Sequence, residues 1–300
     1  MSVVADMLGS GLMQRALIVA VLVGIAAPVM GTYLVQRRLA LLGDGIGHMA
    51  LTGVAAGWLV GGALGLTPHD TLAVPGAGVA AVVGAVLIEW VRGRGRTSGD
   101  VALAMLFYGG IAGGVILMTL AGGTTANLNG YLFGSISSVT TVDVWLTTLL
   151  AVAVLAVGIG LRSALFVLAH DEDFARASGL PTQALNMLVA VMSALTVAVA
   201  MRVVGVLLVS ALMIVPVAAA QVLARSFRTT MLLAMAIGVA VSIVGLTISY
   251  IRPVSPGATI VLLALAAYIV VSLLRPITGR NAGHRPHPDV PDDVEIREKV

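Results

Sequence analysis

Apolar residues in this chain come in long runs separated by short polar breaks. The runs cover roughly 16–35, 39–63, 71–91, 101–121, 142–161, 184–201, 204–223, 230–250 and 257–274. Each is close to the about 20 residues that a helix needs to cross a hydrocarbon layer roughly 30 Å thick at about 1.5 Å per residue. None alternates with a period of two, so they do not read as barrel strands, and in lipid the backbone N–H and C=O groups must then be paired within each helix. The pattern predicts an all-α, polytopic integral membrane protein with a bundle of about nine transmembrane helices. The number falls to eight if 184–223 holds a broken or re-entrant element around Arg202 to Gly205.

Composition strengthens that reading. Of 300 residues, 59% are apolar and 10% charged, against about 25% charged in a typical soluble domain, and the mean hydropathy is +1.05. Cysteine is absent, which removes disulfides, thiolate metal sites and thiol redox chemistry together. The pI near 9.7 does not point to nucleic acid, because the basic residues flank apolar runs singly or in short clusters, as membrane anchors do.

The same basic residues predict an orientation. With Arg92, Arg94 and Arg96 in the cytoplasm, nine alternating spans bring Arg37, Arg38, Arg162, Arg176, Arg225, Arg228 and the C-terminal segment to the same side. Only Arg15, Arg202 and Arg252 are left outside. The N-terminus is then external. The transmembrane domain covers 1–275, and 276–300, polar and carrying Pro286, Pro288 and Pro291 among charges, is predicted to be a disordered cytoplasmic tail.

Two ionisable residues stand inside the second run, Asp44 and His48. Four residues apart on a helix they share a face, with Cβ atoms about 5–6 Å apart, so one carboxylate and one imidazole can converge on one ion. Such groups within a span usually face a cavity and mark a substrate or proton path. The plainer alternative is a helix-capping aspartate near the membrane edge and a satisfied interior histidine, and counting along the run places the pair nearer the cytoplasmic end than the middle. Oxygen and nitrogen ligands suit Zn²⁺ or Mn²⁺ without separating them. Two ligands bind weakly, which suits a conduit.

Gly53, Gly57 and Gly61 in the second run, and Gly109 with Gly113 and Gly110 with Gly114 in the fourth, form four-residue stripes of the kind that pack membrane helices closely. Between the fifth and sixth runs lies a polar stretch, His170 to Pro181, read either as a solvated loop or as a docking helix for a cytoplasmic motor subunit. His69 beside Asp70, and His284 with His287 in the tail, are weaker metal candidates. The chain has no phosphate-binding loop and no H-E-x-x-H helix, so ATP, if used, is hydrolysed by another chain.

Several segments together resemble the membrane permease subunits of the zinc and manganese ABC importers, the metal ABC-3 type. Gly43 to His48 looks like that family's D-x-x-x-H, and Gly130 to Ser135 like its Y-L-F-G-S loop. Asp173 to Leu180 is similar to its cytoplasmic coupling segment, while Gly205 to Pro216 and Ser255 to Val261 match two further stretches. One departure stands out, Gly47 where many members carry serine. The resemblance covers about residues 10 to 275.

It implies a non-enzymatic, multi-pass subunit of the cell (plasma or inner) membrane, paired as a homodimer. Cytoplasmic ATPase subunits and an extracytoplasmic metal-binding protein would be its partners, with no nucleic acid. No cofactor is bound permanently; Asp44 and His48 coordinate the transported ion, zinc first, then manganese or iron. The ATPase is met by Asp173, Phe174, Ala175, Arg176 and Gly179. A stand-alone transporter driven by an ion gradient, with Asp44 and His48 as a proton relay, is the alternative.

Overall fold

A computed structural model describes residue 7 and residues 9–93, 99–136 and 139–278. Arg94, Arg96, His284 and His287 fall outside the described residues, as does the predicted tail from 279 on. Among the described residues every regular element is helical. The elements are α1 (Gly11–Gln36), α2 (Ala40–Ala63), α3 (Ala73–Gly93), α4 (Gly99–Leu120), α5 (Thr125–Phe133) and α6 (Thr141–Gly160). Then come α7 (Arg162–His170), α8 (Glu172–Ala177), α9 (Thr182–Val204), α10 (Val206–Leu223), α11 (Phe227–Ile251) and α12 (Pro256–Thr278). Eight helices are long and apolar enough to cross a membrane, and α10 is a shorter apolar helix. The protein is therefore an all-α, multi-pass protein of the cell membrane. Large apolar side chains such as Met105, Tyr108, Trp145, Leu149, Leu262 and Leu273 lie exposed on its outside, a surface suited to lipid rather than water.

Local chemistry sets the helix ends. Thr140 and Asp143 form a reciprocal capping box at the start of α6, and Ser226 with Thr229 does the same for α11. The turn from α1 to α2 needs only three residues because Arg38 takes a left-handed conformation, φ 57°. The Leu39 N–H then reaches back to the Leu34 carbonyl at 2.8 Å, the Schellman pattern of a helix C-terminus.

Contacts at the two ends show how the helices alternate. At one end, Tyr33 of α1 donates to the Gly158 carbonyl of α6 and packs against Phe227 of α11. Glu172 of α8 accepts there from Arg37 and from Asn186 of α9. At the other end, Ser255 donates to the Phe133 carbonyl at 2.9 Å, and Gly205 abuts Leu132 and Phe133. Helix α9 thus leaves the Arg37 end, and the shorter α10 returns to it. α1 is buried along most of its length, while α12 exposes most of its surface.

Helices α2 and α3 approach almost to backbone contact. A Cβ on Gly53 would collide with the Gly76 carbonyl, one on Gly57 with the Leu72 carbonyl, and one on Gly61 would lie 2.5 Å from the His69 carbonyl. Of the two stripes in α4, one packs against α2 and Gly109 of the other does not. A Cβ on Gly109 would meet nothing within 4 Å, whereas one on Gly110 would lie 2.6 Å from the His48 carbonyl carbon. One residue is about 100° of helix rotation, so the packed face of α4 is that of Gly110 and Gly114, with Gly113 at its edge against Thr52.

Candidate functional site

Asp44 and His48 stand one turn apart on α2 with Asp44 Oδ1 3.9 Å from His48 Nε2. The capping alternative does not apply to Asp44, because α2 begins at Ala40 behind Leu39 and Asp44 is already inside the helix. Within α2, Asp44 is the fifth residue and His48 the ninth, so the pair stands in the half nearer the Arg37 end, as counting along the run suggests. Gly47 between them faces Val206 of α10 and Val197 of α9.

The two side chains differ in access. The His48 side chain is 3% exposed and that of Asp44 30%. His48 is wedged edge-on against Phe107, ring centroids 4.2 Å apart, and backed by Gly110. Its Nδ1 is buried without a hydrogen-bond partner among the described residues. Asp44, by contrast, lines a cavity of about 370 Å³ with Leu41, Gly45, Leu103, Phe107 and Tyr108.

A third polar group comes from α10. Ser210 Oγ donates to Asp44 Oδ1 at 3.2 Å, and Ser210 is itself buried. Sequence reasoning singled out its segment but not this residue, whose partner is 166 positions away; the available signal was a hydroxyl inside an otherwise apolar run. Gly47 has its own explanation. A Cβ there would stand 3.2 Å from the Val206 carbonyl, so the close approach of α10 leaves little room for a serine, and the hydroxyl near Asp44 arrives from α10 instead.

Among the described residues no group of three or more His, Asp or Glu side chains converges. One chain therefore offers a carboxylate, an imidazole and a hydroxyl at this point. Such a set can hold a divalent cation loosely, with water or further groups completing its shell. His69 opens a 3₁₀ turn, His69–Leu72, far from this pair at the opposite end of α2.

The polar stretch after α7 folds into the short helix α8. Asp171 caps it, accepting from the Phe174 N–H at 2.8 Å. Gly179, at φ 78°, ends it in a Schellman turn, with Leu180 N–H bonded to the Ala175 carbonyl at 3.1 Å. Ala175 is the buried anchor, whereas Phe174 is 61% exposed. Arg176 reaches Asp173 and Glu172, each at 3.6 Å. The helix thus presents an aromatic ring and charges outward on a rigidly capped turn.

Known proteins share this architecture. Residues 10–275 match the model of the ABC 3 transport family. The chain is 32% identical over 274 residues to the manganese transport system membrane protein MntC of Halalkalibacterium halodurans, covering 91% of each. It is 30% identical to the manganese import system permease protein ScaB of Streptococcus gordonii, covering 88% of this chain and 91% of that one. A solved structure, PsaBC from Streptococcus pneumoniae in complex with Fab, superposes with a TM-score of 0.77 at 30% identity, over 89% of this chain and 95% of that one. The chain belongs to the ABC 3 transport family.

Proposed function

We propose that this chain is the membrane permease subunit of an ATP-binding-cassette importer that carries a divalent transition metal ion into the cytoplasm. The observation that carries the proposal is the Asp44–His48 pair, set inside a helix of an apolar bundle, with Asp44 opening onto a cavity and bonded to Ser210. Burying these groups costs several kcal/mol by rough estimate unless function repays it. Sequence alone puts zinc first. The names of the relatives favour manganese, so we place manganese ahead of zinc and iron, as transported substrate rather than resident cofactor.

Two ligands and a hydroxyl leave a coordination shell incomplete, and a second copy of the chain facing the cavity would supply the remainder. This favours the homodimer. ATP hydrolysis belongs to separate cytoplasmic subunits docked at α8, whose exposed Phe174 and capped ends suit a coupling element. An extracytoplasmic metal-binding protein delivers the ion. Basic residues concentrate at the Arg37 end, which makes that end cytoplasmic.

The test is uptake of radioactive manganese by cells lacking their own importers and expressing the chain with its ATPase and binding protein. Asp44→Ala and His48→Ala should each abolish uptake while the protein still reaches the membrane and co-purifies with the ATPase. Unchanged uptake in either variant removes the pair from the pathway.

A further inference from the structure

A second cavity, about 560 Å³, opens between α7 and the start of α11, lined by Arg162, Phe166, Val167, Phe227 and Arg228 among others. Its position follows from the chain path. Arg162 begins α7 directly below the last turn of α6, and Arg228 lies in the first turn of α11, so both guanidinium groups mark the depth at which a span leaves the hydrocarbon. Both α6 and α11 pack against α1, and the groove occupies the cleft between them.

The cationic groups here are not consumed by the protein. Among the described residues neither Arg162 nor Arg228 forms an ion pair, and no carboxylate lines the groove. The groove wall is an aromatic step, Phe166 edge-on to Phe227 at 5.2 Å. From it, exposed apolar side chains lead into the membrane: Ile159 and Val152 along α6, and Leu232 one turn beyond Arg228 on α11.

We propose that this groove binds an anionic phospholipid of the cytoplasmic leaflet, its phosphate between Arg162 and Arg228 and its acyl chains along the outward faces of α6 and α11. The two halves of the site select the ligand together. A soluble anion satisfies the arginines and leaves the apolar track uncovered; a zwitterionic lipid brings a positive group into a cationic mouth. Each arginine near an anionic headgroup adds roughly fivefold in affinity, so the pair confers roughly twenty-fivefold.

The experiment uses the full chain in nanodiscs made from phosphatidylglycerol and phosphatidylcholine, with retained lipids counted by native mass spectrometry after transfer to detergent. The wild-type protein should retain phosphatidylglycerol preferentially, and Arg162→Gln/Arg228→Gln should lose that preference. Equal retention of both lipids by the wild type overturns the proposal, as does a double variant with undiminished preference. Displacement of the lipid by millimolar glycerol phosphate would show a soluble-anion site and overturn it too. A double variant that keeps its lipid but loses the ATPase would identify a protein-docking face instead. Should the double variant aggregate, the wild-type comparison of the two lipids decides alone.

Discussion

Arg37 donates from Nη2 to Glu172 Oε2 over 2.9 Å, an ion pair that fastens the turn launching α2 to the short helix α8. Burial pushes the Arg37 guanidinium below its ordinary pKa and the Glu172 carboxylate pulls it back up. The Arg37 side chain is 6% exposed and that of Glu172 37%. Asn186 of α9 donates to the other carboxylate oxygen at 3.1 Å, so three segments meet at one residue. The ion pair thus joins α8 to the turn that leads into α2, one helical turn before Asp44.

Arg37→Met tests that linkage. Glu172 can recover water, so the stability cost should fall below the about 3–5 kcal/mol of breaking a fully buried pair. Metal uptake should drop well beyond what lost protein explains, with ATPase binding through α8 retained. Uptake that follows protein abundance alone would make the pair merely structural.

Ser210→Ala removes the one hydrogen bond that Asp44 accepts from another helix among the described residues. A hydrogen bond to a charged group contributes about 1.5–3 kcal/mol, and Asp44 is partly open to the cavity, so the lower figure applies. The half-saturating metal concentration should rise about tenfold with expression unchanged. Uptake kinetics measured across metal concentrations provide the check, and an unaltered curve would show that Asp44 is positioned without Ser210.

Adjacent glycines on α4 should behave differently. Gly110→Ala forces a methyl group to 2.6 Å from the His48 carbonyl carbon, and the Gly110 carbonyl also accepts from Thr52 at 2.7 Å. Overpacking of this kind costs about 1–3 kcal/mol. Gly109→Ala meets open space and should leave the chain's own stability unchanged. Thermal unfolding of the two variants in detergent separates them, and equal melting temperatures would contradict the packing described.

Gly205 joins α9 to α10 at φ 90°, with a Cβ there lying 2.6 Å from Gly134 N and the Phe133 carbonyl carbon. Gly205→Ala combines backbone strain with a clash against backbone. It should lower protein yield in the membrane severely, whereas Gly65→Ala, also left-handed at φ 67° but open to space, should cost only about 1–2 kcal/mol. Fluorescence-detected size exclusion compares the pair, and similar yields would refute a special role for the junction.

Much of this fold is visible in the order of residues, because a span must be both long and apolar, and those two demands leave a strong trace. All nine runs became helices, and the interruption suspected between Arg202 and Gly205 narrows to Gly205 alone. The short helices α5 and α7 left no such trace, since neither is a long apolar run and α7 turns only Leu165, Leu168 and Ala169 inward. Helix rotation was equally hidden: a glycine stripe shows that a close face exists, but not whether Gly109 or Gly110 supplies it. Asp44 and His48 were conspicuous because charge is scarce in lipid, whereas Ser210 became visible only once α10 lay against α2.

The unequal openness of Asp44 and His48 bears on discrimination among cations. On the proposed reading, an aquated ion entering by the cavity exchanges its first water for carboxylate oxygen and reaches the imidazole only after shedding more. Magnesium surrenders water reluctantly and gains little from nitrogen, while first-row transition metals accept imidazole readily. Sequential dehydration thus filters abundant hard ions without a rigid cage, and the sealed ring acts as the second checkpoint.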